Sequence, residues 1–460
     1  MNKYPLLSKT LVIGFLMLLL SIPLMMVRDV IQERSMNRRT ATQEVARAHS
    51  GSQTLTGPVL HVPYTETYTR TLIVDVEKNT KREETVKETR VATVFPTTMD
   101  TRSRLDTETR WRGIFPVTVY NSRHDSNGRF VWSGVAPRES GGQITLGQPW
   151  LTLGVSDLRG LLGRPELTLG GKPLAIAASP AAEQLPLPLA APVDAALLQP
   201  GAALDFTLGM DLAGTGRIGF VPLADDNKVT LVSPWPHPSF VGDFLPRSRT
   251  VSPEGFEASW SVPSLSTQAQ QQFLSAGKER AGVDSFSVSL ENPVDVYRLT
   301  ERATKYAMMF IVLTFAAFFV LEMVKRWRIH PMQYLMIGAA LVLFFLLLLS
   351  LSEHLDFVGA YLLASLACIA LMGHYLRHVL GGWRPGLGMS GMLVALYGVL
   401  YGILISEDNA LMMGSLLLFG VLAAIMVATR KLDWYNVMGS EPKPTEPPRS
   451  PRVPAPDPAV

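Results

Sequence analysis

The stretch richest in recognition chemistry is Trp235-Pro236-His237-Pro238-Ser239-Phe240-Val241-Gly242-Asp243-Phe244-Leu245-Pro246. Pro234, Pro236, Pro238 and Pro246 stiffen its backbone, and aromatic rings on such a scaffold suit the gripping of a peptide or glycan. Trp235, His237, Phe240, Asp243 and Phe244 are the candidate binding residues. The other reading is that Trp235, Phe240 and Phe244 turn inward and plug the end of a β-sandwich. A second set is electrostatic. Arg298, Arg302 and Lys305 fall at i, i+4 and i+7, one face of a helix, and acidic side chains at Glu353, Asp356, Glu407 and Asp408 lie in two short breaks between apolar runs. Pairing between the two groups would couple a domain to a helical bundle; contact of the cations with lipid phosphates is the alternative.

Covalent and metal chemistry finds no foothold. There is no Gly-x-Ser-x-Gly elbow, His-Glu-x-x-His, Walker loop or paired-cysteine motif. His49, His61, His124 and His237 stand isolated, and Asp225-Asp226-Asn227 lacks the glycine and distal glutamate of a calcium loop, so it reads as a polar turn. No catalytic residue, metal or cofactor is expected, and the chain reads as non-enzymatic.

What must position these residues is dominated by membrane spans. Five apolar segments, Tyr306 to Val324, Met332 to Leu351, Phe357 to Tyr375, Leu387 to Ile405 and Ala410 to Ala428, approach the ~20 residues that cross a bilayer core of ~30 Å. A sixth, Thr10 to Val27, follows Lys3 and Lys9. Met25-Met26-Val27-Arg28-Asp29 offers no small-residue cleavage site, so this is an anchor rather than a removed leader. Glu322 and His374 sit near span ends and are expected to snorkel. Gly398 and Gly402 share one face of the fifth of the six spans, which permits close packing in the bundle or a homo-oligomer interface.

Basic residues mark alternate connections: Lys3 and Lys9, then Lys325, Arg326 and Arg328, then Arg377 and Arg384, then Arg430 and Lys431. By the positive-inside rule both termini are cytoplasmic and the long segment after the first span is outside. The net charge of +3, from 42 Lys and Arg against 39 Asp and Glu, gives no footprint for nucleic acid. The single cysteine, Cys368, lies inside a span, so the outer segment has no disulfide.

Arg28 to Ala48 contains neither glycine nor proline and should extend the first span as a helical stalk of roughly 30 Å. From Gly57 to Leu290 the period is two, in short runs between turn signals. The clearest runs are Leu72 to Glu77, Phe115 to Tyr120 and Phe206 to Leu212; others are Val59 to Val62, Val91 to Phe95, Phe130 to Trp132, Leu151 to Val155, Glu166 to Leu169, Ile218 to Val221, Val229 to Val232, Phe256 to Trp260 and Phe286 to Leu290. A dozen short strands predict antiparallel sandwich sheets. Ser179 to Gly201 reads as a long loop, and Thr267 to Lys278 as a helix. The expected architecture is an α+β membrane protein: six transmembrane helices, one N-terminal and five C-terminal, with a large extracytoplasmic all-β, sandwich-like domain between the first and second. Residues 1–27 form the cytoplasmic start and anchor, 28–50 the stalk, 51–298 the β-domain, 299–429 the five-helix bundle and 430–460 a cytoplasmic Pro-rich tail.

Several phrases, in one order along nearly the whole chain, resemble the CreD-like inner-membrane proteins, or colicin-tolerance family. They are Gly57-Pro58-Val59-Leu60, Gly154-Val155-Ser156-Asp157-Leu158-Arg159-Gly160, the Trp235 to Pro246 stretch, Leu299-Thr300-Glu301-Arg302-Ala303-Thr304-Lys305-Tyr306-Ala307, His330-Pro331-Met332-Gln333-Tyr334-Leu335, Leu351-Ser352-Glu353-His354 and Asp433-Trp434-Tyr435. The resemblance implies a multi-pass inner-membrane protein of Gram-negative bacteria with a periplasmic domain, linked to a two-component envelope or carbon-source response and to envelope integrity. It brings no catalytic residues. The expected partners are the lipid bilayer and an envelope polymer or another envelope protein. A transporter or lipid-handling permease is the first rival reading, and an enzyme acting on an envelope polymer the second.

Overall fold

A computed structural model describes residues 5–75, 80–178, 188–275, 282–290, 296–325, 329–380, 382–406 and 409–430. The chain opens with α1 (Pro5–Ala48), then β1 (Gln53–Asp75), β2 (Thr80–Val94), β3 (Thr98–Arg112), β4 (Phe115–Trp132), β5 (Gln143–Leu146) and β6 (Trp150–Val155). It continues with β7 (Glu166–Leu169), β8 (Lys172–Leu174), β9 (Ala177–Ala178), β10 (Leu189–Pro192), β11 (Ala202–Thr215), β12 (Arg217–Val221) and β13 (Asp226–Ser233). Then come β14 (Ser239–Gly242), β15 (Ser248–Ser252), β16 (Gly255–Pro263), α2 (Ala269–Ser275) and β17 (Phe286–Ser289). The chain ends in α3 (Val296–Lys325), α4 (Pro331–Ser352), α5 (Phe357–Val379), α6 (Trp383–Ile405) and α7 (Ala410–Thr429). It divides into two compact units, Met1–Met36 with Val294–Val460, and Asn37–Pro293.

In the helical unit, α3 turns Ala303, Ala307, Phe310, Ile311, Thr314, Phe315 and Phe318 inward at helical spacing. Phe344 of α4 and Phe310 of α3 meet Tyr397 of α6 edge-on, at 4.7 and 4.9 Å between ring centres. Thr300 and Thr314 return their hydroxyls to carbonyls one turn back, at 2.7 and 2.8 Å, so neither is left bare in lipid. A Cβ on Gly338 would lie 2.1 Å from Leu20 Cδ1, so α1 packs closely against α4 there and any larger residue would have to displace the Leu20 side chain. In α7 only Ala410, Gly414 and Thr429 are buried; most of the remaining surface is apolar and exposed, as a lipid-facing span requires. Including α1, six helices among the described residues are long and apolar enough to cross a membrane.

The other unit holds two sheets. The first runs β14-β17-β12-β1-β6-β10-β9, with β2 and β5 added along β1; the second runs β15-β16-β13-β3-β4-β11-β7-β8. Their inward faces share one core that includes Leu60, Leu105, Phe130, Phe206, Leu231, Trp260 and Phe286. Three expectations need correction. Both sheets are mixed rather than antiparallel, since β1 pairs β12 and β13 pairs β3 in parallel. Several strands are long: Phe115 to Tyr120 and Phe130 to Trp132 are the two ends of β4, and Val59 to Val62 shares β1 with Leu72 to Asp75. The stretch expected as a loop from Ser179 contains β10, which pairs β6; residues 179–187 lie outside the described ones, as do 76–79, 276–281 and 431–460. Within β1, Gly57 takes φ +86° where the register against β6 shifts, a conformation that glycine alone adopts at little cost.

Where α1 ends and β1 begins, a polar clamp fixes the chain. Gln53, fully buried, donates from Nε2 to Ser50 Oγ (2.9 Å), Asp157 O (2.8 Å) and Ala213 O (3.1 Å), and its Oε1 accepts from Asp157 N. The Asp157 carboxylate accepts from Gly51 N (2.9 Å) and from Arg159, whose NH1 donates to the Arg47 carbonyl (2.6 Å) at the helix end. Hydrogen bonding from Arg159, the largest influence, holds the Asp157 carboxyl well below the usual carboxylate range. A Cβ on Gly160 would sit 2.1 Å from Gln53 Nε2 and 2.3 Å from Ala213 O, so the clamp closes only over glycine.

Inside the sandwich, β3 and β4 present hydroxyls and an imidazole instead of hydrocarbon. Ser122 Oγ donates to Leu212 O (3.0 Å) and so must accept from His124 Nε2–H (2.8 Å); His124 Nδ1 then accepts from Ser103 Oγ (2.7 Å). Thr101 and Ser126 pair on the same two strands, at 2.9 Å. Burial, then the Arg123 charge, lowers the His124 pKa from 6.5 to about 3. Burial lowers that of His61, which bonds Thr152 at 2.8 Å, to about 4.

Two outcomes follow from this packing. Gly160→Ala should lower stability by about 1–3 kcal/mol through overpacking, read as a drop in the melting temperature of the full chain in detergent. The two histidines are neutral when folded and charged when unfolded below pH 6.5, so stability is complete above that value and falls with pH toward 4 and then 3. At pH 5 each should cost about 2 kcal/mol. Melting between pH 7 and 5 checks this, and His124→Gln should flatten the slope by roughly half.

Candidate functional site

The Trp235 to Pro246 stretch forms a surface ledge. Its centre is β14, on the edge of the first sheet, paired with β17; prolines on either side cannot extend that ladder, which keeps the strand short. The Phe240 ring packs edge-on against Phe256 (6.0 Å) and Trp260 (5.8 Å), and the Arg249 guanidinium lies 5.7 Å above it. Trp260 stacks on Phe286 at 5.2 Å and donates from Nε1 to the Phe244 carbonyl at 3.2 Å. Trp235 and Phe244 also pack against the core, and Trp235 Nε1 bonds the His237 carbonyl at 2.9 Å. The three rings therefore take the inward of the two readings.

Asp243 pins the ledge from its far end, its backbone N donating to Ser285 O and its Oδ2 accepting from Ser285 N, both at 2.8 Å. Gly242, at φ +108°, would bring a Cβ to 2.4 Å from Ser285 O. What remains open is His237, with Leu245, Arg247 and Arg249 beside it in sequence; Leu245 is 72% exposed. The surface is a sheet edge with one apolar and several cationic or hydrogen-bonding groups, held from beneath by aromatic rings.

On the charged face of α3, Arg302 and Lys305 each have a contact among the described residues. Arg302 NH1 donates to the Leu404 carbonyl at 3.0 Å, near the end of α6, and Lys305 pairs with Glu301 on its own helix at 3.3 Å. Glu353, which ends α4, takes Tyr297 (3.3 Å) and Arg34 of α1 (3.6 Å), while Asp356 caps α5 through Gly359 N (3.1 Å). Arg298 lies one turn before Arg302 on α3. Glu407 and Asp408 lie outside the described residues.

Glu322 does not snorkel. It is 9% exposed and receives Lys9 Nζ, Tyr334 OH (3.0 Å) and Ile329 N (3.2 Å); Lys9 also donates to the Ile329 carbonyl at 2.8 Å. A carboxylate near lipid is retained by filling its acceptor sites. Gly402 faces Met413 of α7, whose Cε would lie 3.0 Å from an added Cβ, whereas Gly398 faces open space.

Of the outer histidines, His61 and His124 are buried and His237 is exposed; burial, the largest influence, lowers the pKa of His49. Among the described residues no cluster of three or more His, Cys, Asp or Glu is placed to hold a metal. The clamp at Asp157 to Gly160 escapes motif reading because its partners, Gln53 and Arg47, lie over a hundred positions away. Its one local signal is the Asp-x-Arg-Gly spacing.

Over residues 5–435 the chain matches the family described as Inner membrane protein CreD. It is 37% identical over 444 residues to the Inner membrane protein CreD of Escherichia coli (strain K12), covering 95% of each chain. Among solved structures, the M1 zinc metallopeptidase of Deinococcus radiodurans aligns with 43% of this chain and 42% of its own, at 10% identity and a TM-score of 0.20, too low to bear on fold or chemistry. With six apolar helices flanking a β-rich unit in sequence and a match along nearly its whole length, this chain belongs to the CreD family of inner membrane proteins.

Proposed function

We propose that the protein is a non-enzymatic component of the bacterial envelope, serving envelope integrity or a stress response, whose β-domain meets an envelope polymer or another envelope protein on the outer side. The observation that carries this reading is the ledge. Its aromatic side chains hold the backbone from within, leaving His237, Leu245, Arg247 and Arg249 fixed at the surface of a sheet edge. A backbone already held in place loses little conformational freedom on binding, which favours recognition.

The topology that supports it has both termini in the cytoplasm. The basic connections at Lys9, Lys325, Arg377 with Arg384, and Arg430 fall on one side, and Glu353 and Asp356 fall on the other with the domain. The organisation is an anchor over 1–27, a stalk over 28–50, a periplasmic domain over 51–298, a bundle over 299–429 and a tail over 430–460. Arg298, Arg302 and Lys305 lie where the chain returns from that domain. Their engagement with Glu353, Asp356, Glu407 and Asp408 couples domain to bundle, and Gly398 is the open point for a second copy.

Three measurements test this. In a Cys368→Ser background, Ser248→Cys should react with an impermeant maleimide in spheroplasts and Ser440→Cys should not; the reverse pattern overturns the orientation. A photo-crosslinking amino acid at Leu245 should capture an envelope component in intact cells, whereas one at Val131, on another exposed strand, should not. Arg302→Glu should impair the in vivo phenotype, and adding Glu407→Arg should restore it; stable insertion without recovery overturns the coupling.

A further inference from the structure

The ends of three apolar runs meet at one level of the helical unit: α1 at Lys9, α3 at Lys325 and α4 at Pro331. Here lies a cavity of about 410 Å³ lined by Ser8, Lys9, Val12, Glu322, Ile329, His330 and Pro331. That volume falls in the range of small-molecule pockets. Its composition is unusual for a gap between membrane helices, since one wall is apolar (Val12, Ile329, Pro331) and the other carries a lysine, a histidine and a carboxylate.

The bonding within the polar wall determines what it can accept. Glu322 is filled by Lys9, Tyr334 OH and Ile329 N, so its charge is neutralised and it offers little to a cation. Lys9 spends two of its three donors, on Glu322 and on the Ile329 carbonyl. His330 accepts from Met332 N through Nδ1 at 3.2 Å, which places its proton on Nε2 and makes the ring a donor. The N-terminal end of α4 begins at Pro331, adding the positive end of a helix dipole. The remaining capacity of the wall is therefore for an anion.

An anion at the border of the hydrocarbon, next to Val12 and a lipid-facing helix surface, has an obvious source in a membrane. The geometry points to a binding site for the phosphate of an anionic phospholipid, with Lys9 and His330 holding the headgroup and the acyl chains passing along Val12. Basic pockets between membrane helices are suited to such headgroups. Under the topology proposed above, the lipid belongs to the cytoplasmic leaflet; the site itself does not depend on that assignment.

The full chain, purified in dodecyl maltoside, is titrated with dioctanoyl phosphatidylglycerol and bound lipid is read by native mass spectrometry. The expected result is one retained phosphatidylglycerol per chain, bound at least tenfold more tightly than dioctanoyl phosphatidylcholine. Val12→Trp fills the space without touching the polar groups, and His330→Asn keeps an N-cap while removing the ring donor. Each should weaken binding tenfold or more while the melting temperature stays within a few degrees. Equal retention by the wild type and both variants, or equal binding of phosphatidylcholine, overturns the site. Displacement of phosphatidylglycerol by an equal concentration of inorganic phosphate overturns the assignment to lipid.

Discussion

The structure of the β-domain depends on how the chain leaves α1. A helix ends with carbonyls that have no intrahelical partner, and here the Arg47 carbonyl receives Arg159 while the next turn of chain, Ser50 to Gln53, enters the first sheet. Gln53 bridges three backbone or hydroxyl acceptors and one donor, so it fixes β1 against both the β6 side, through Asp157, and the β11 side, through Ala213. Thr215 adds its hydroxyl to the Ser50 carbonyl at 2.7 Å. Because β1 is the strand on which β12, β6, β2 and β5 all pair, its entry point sets the register of the whole first sheet.

The helical unit answers the same demand without water. In hydrocarbon an unpaired polar group costs several kcal/mol, and these inward polar residues each have a fixed partner: Thr300 and Thr314 on their own helix, Tyr361 OH on the Tyr397 carbonyl at 2.7 Å, Glu322 on Lys9 and Tyr334. Breaking such an ion pair is far more costly than its net worth suggests, because the survivor is left charged and dry. The consequence is positional. Glu322 ties the end of α3 to the start of α4 and to α1, so three helix ends are held at one depth.

The six helices were legible in the sequence because an apolar run of about twenty residues with almost no charge has little use outside a bilayer core, and the structure places α4 to α7 within about a turn of the expected ends, while α1 runs on through the expected stalk to Ala48 and α3 begins earlier at Val296. Strands with clean alternation, such as Phe206 to Leu212, were legible too. β3 was not, since its inward residues include Thr101 and Ser103 and its outward ones Arg102 and Arg104, so no hydrophobic period marks it. Nor were the parallel pairs β1·β12 and β3·β13, which depend on contacts more than a hundred residues apart. Glu322 departs from expectation because its partner Lys9 lies at the other end of the chain, and snorkelling is a local argument. The ledge was recognisable as special from its prolines, but which way its rings face is decided by Trp260 and Phe286, which the local sequence does not contain.

A common physical theme joins several of the phrases that carry the family resemblance. Gly57 supplies a positive φ at a register shift, Gly160 a close approach, Asp157 and Arg159 a helix-end clamp, and Asp243 a pin on Ser285. His330 and Gln333 form a reciprocal capping box at the start of α4, and Glu353 accepts from Tyr297 where that helix ends. Almost all of these residues fix backbone. These residues are spread over both units, and each secures a junction between elements. Outside those junctions stand the exposed His237 and Leu245 on the ledge and the cavity beside Lys9 and His330.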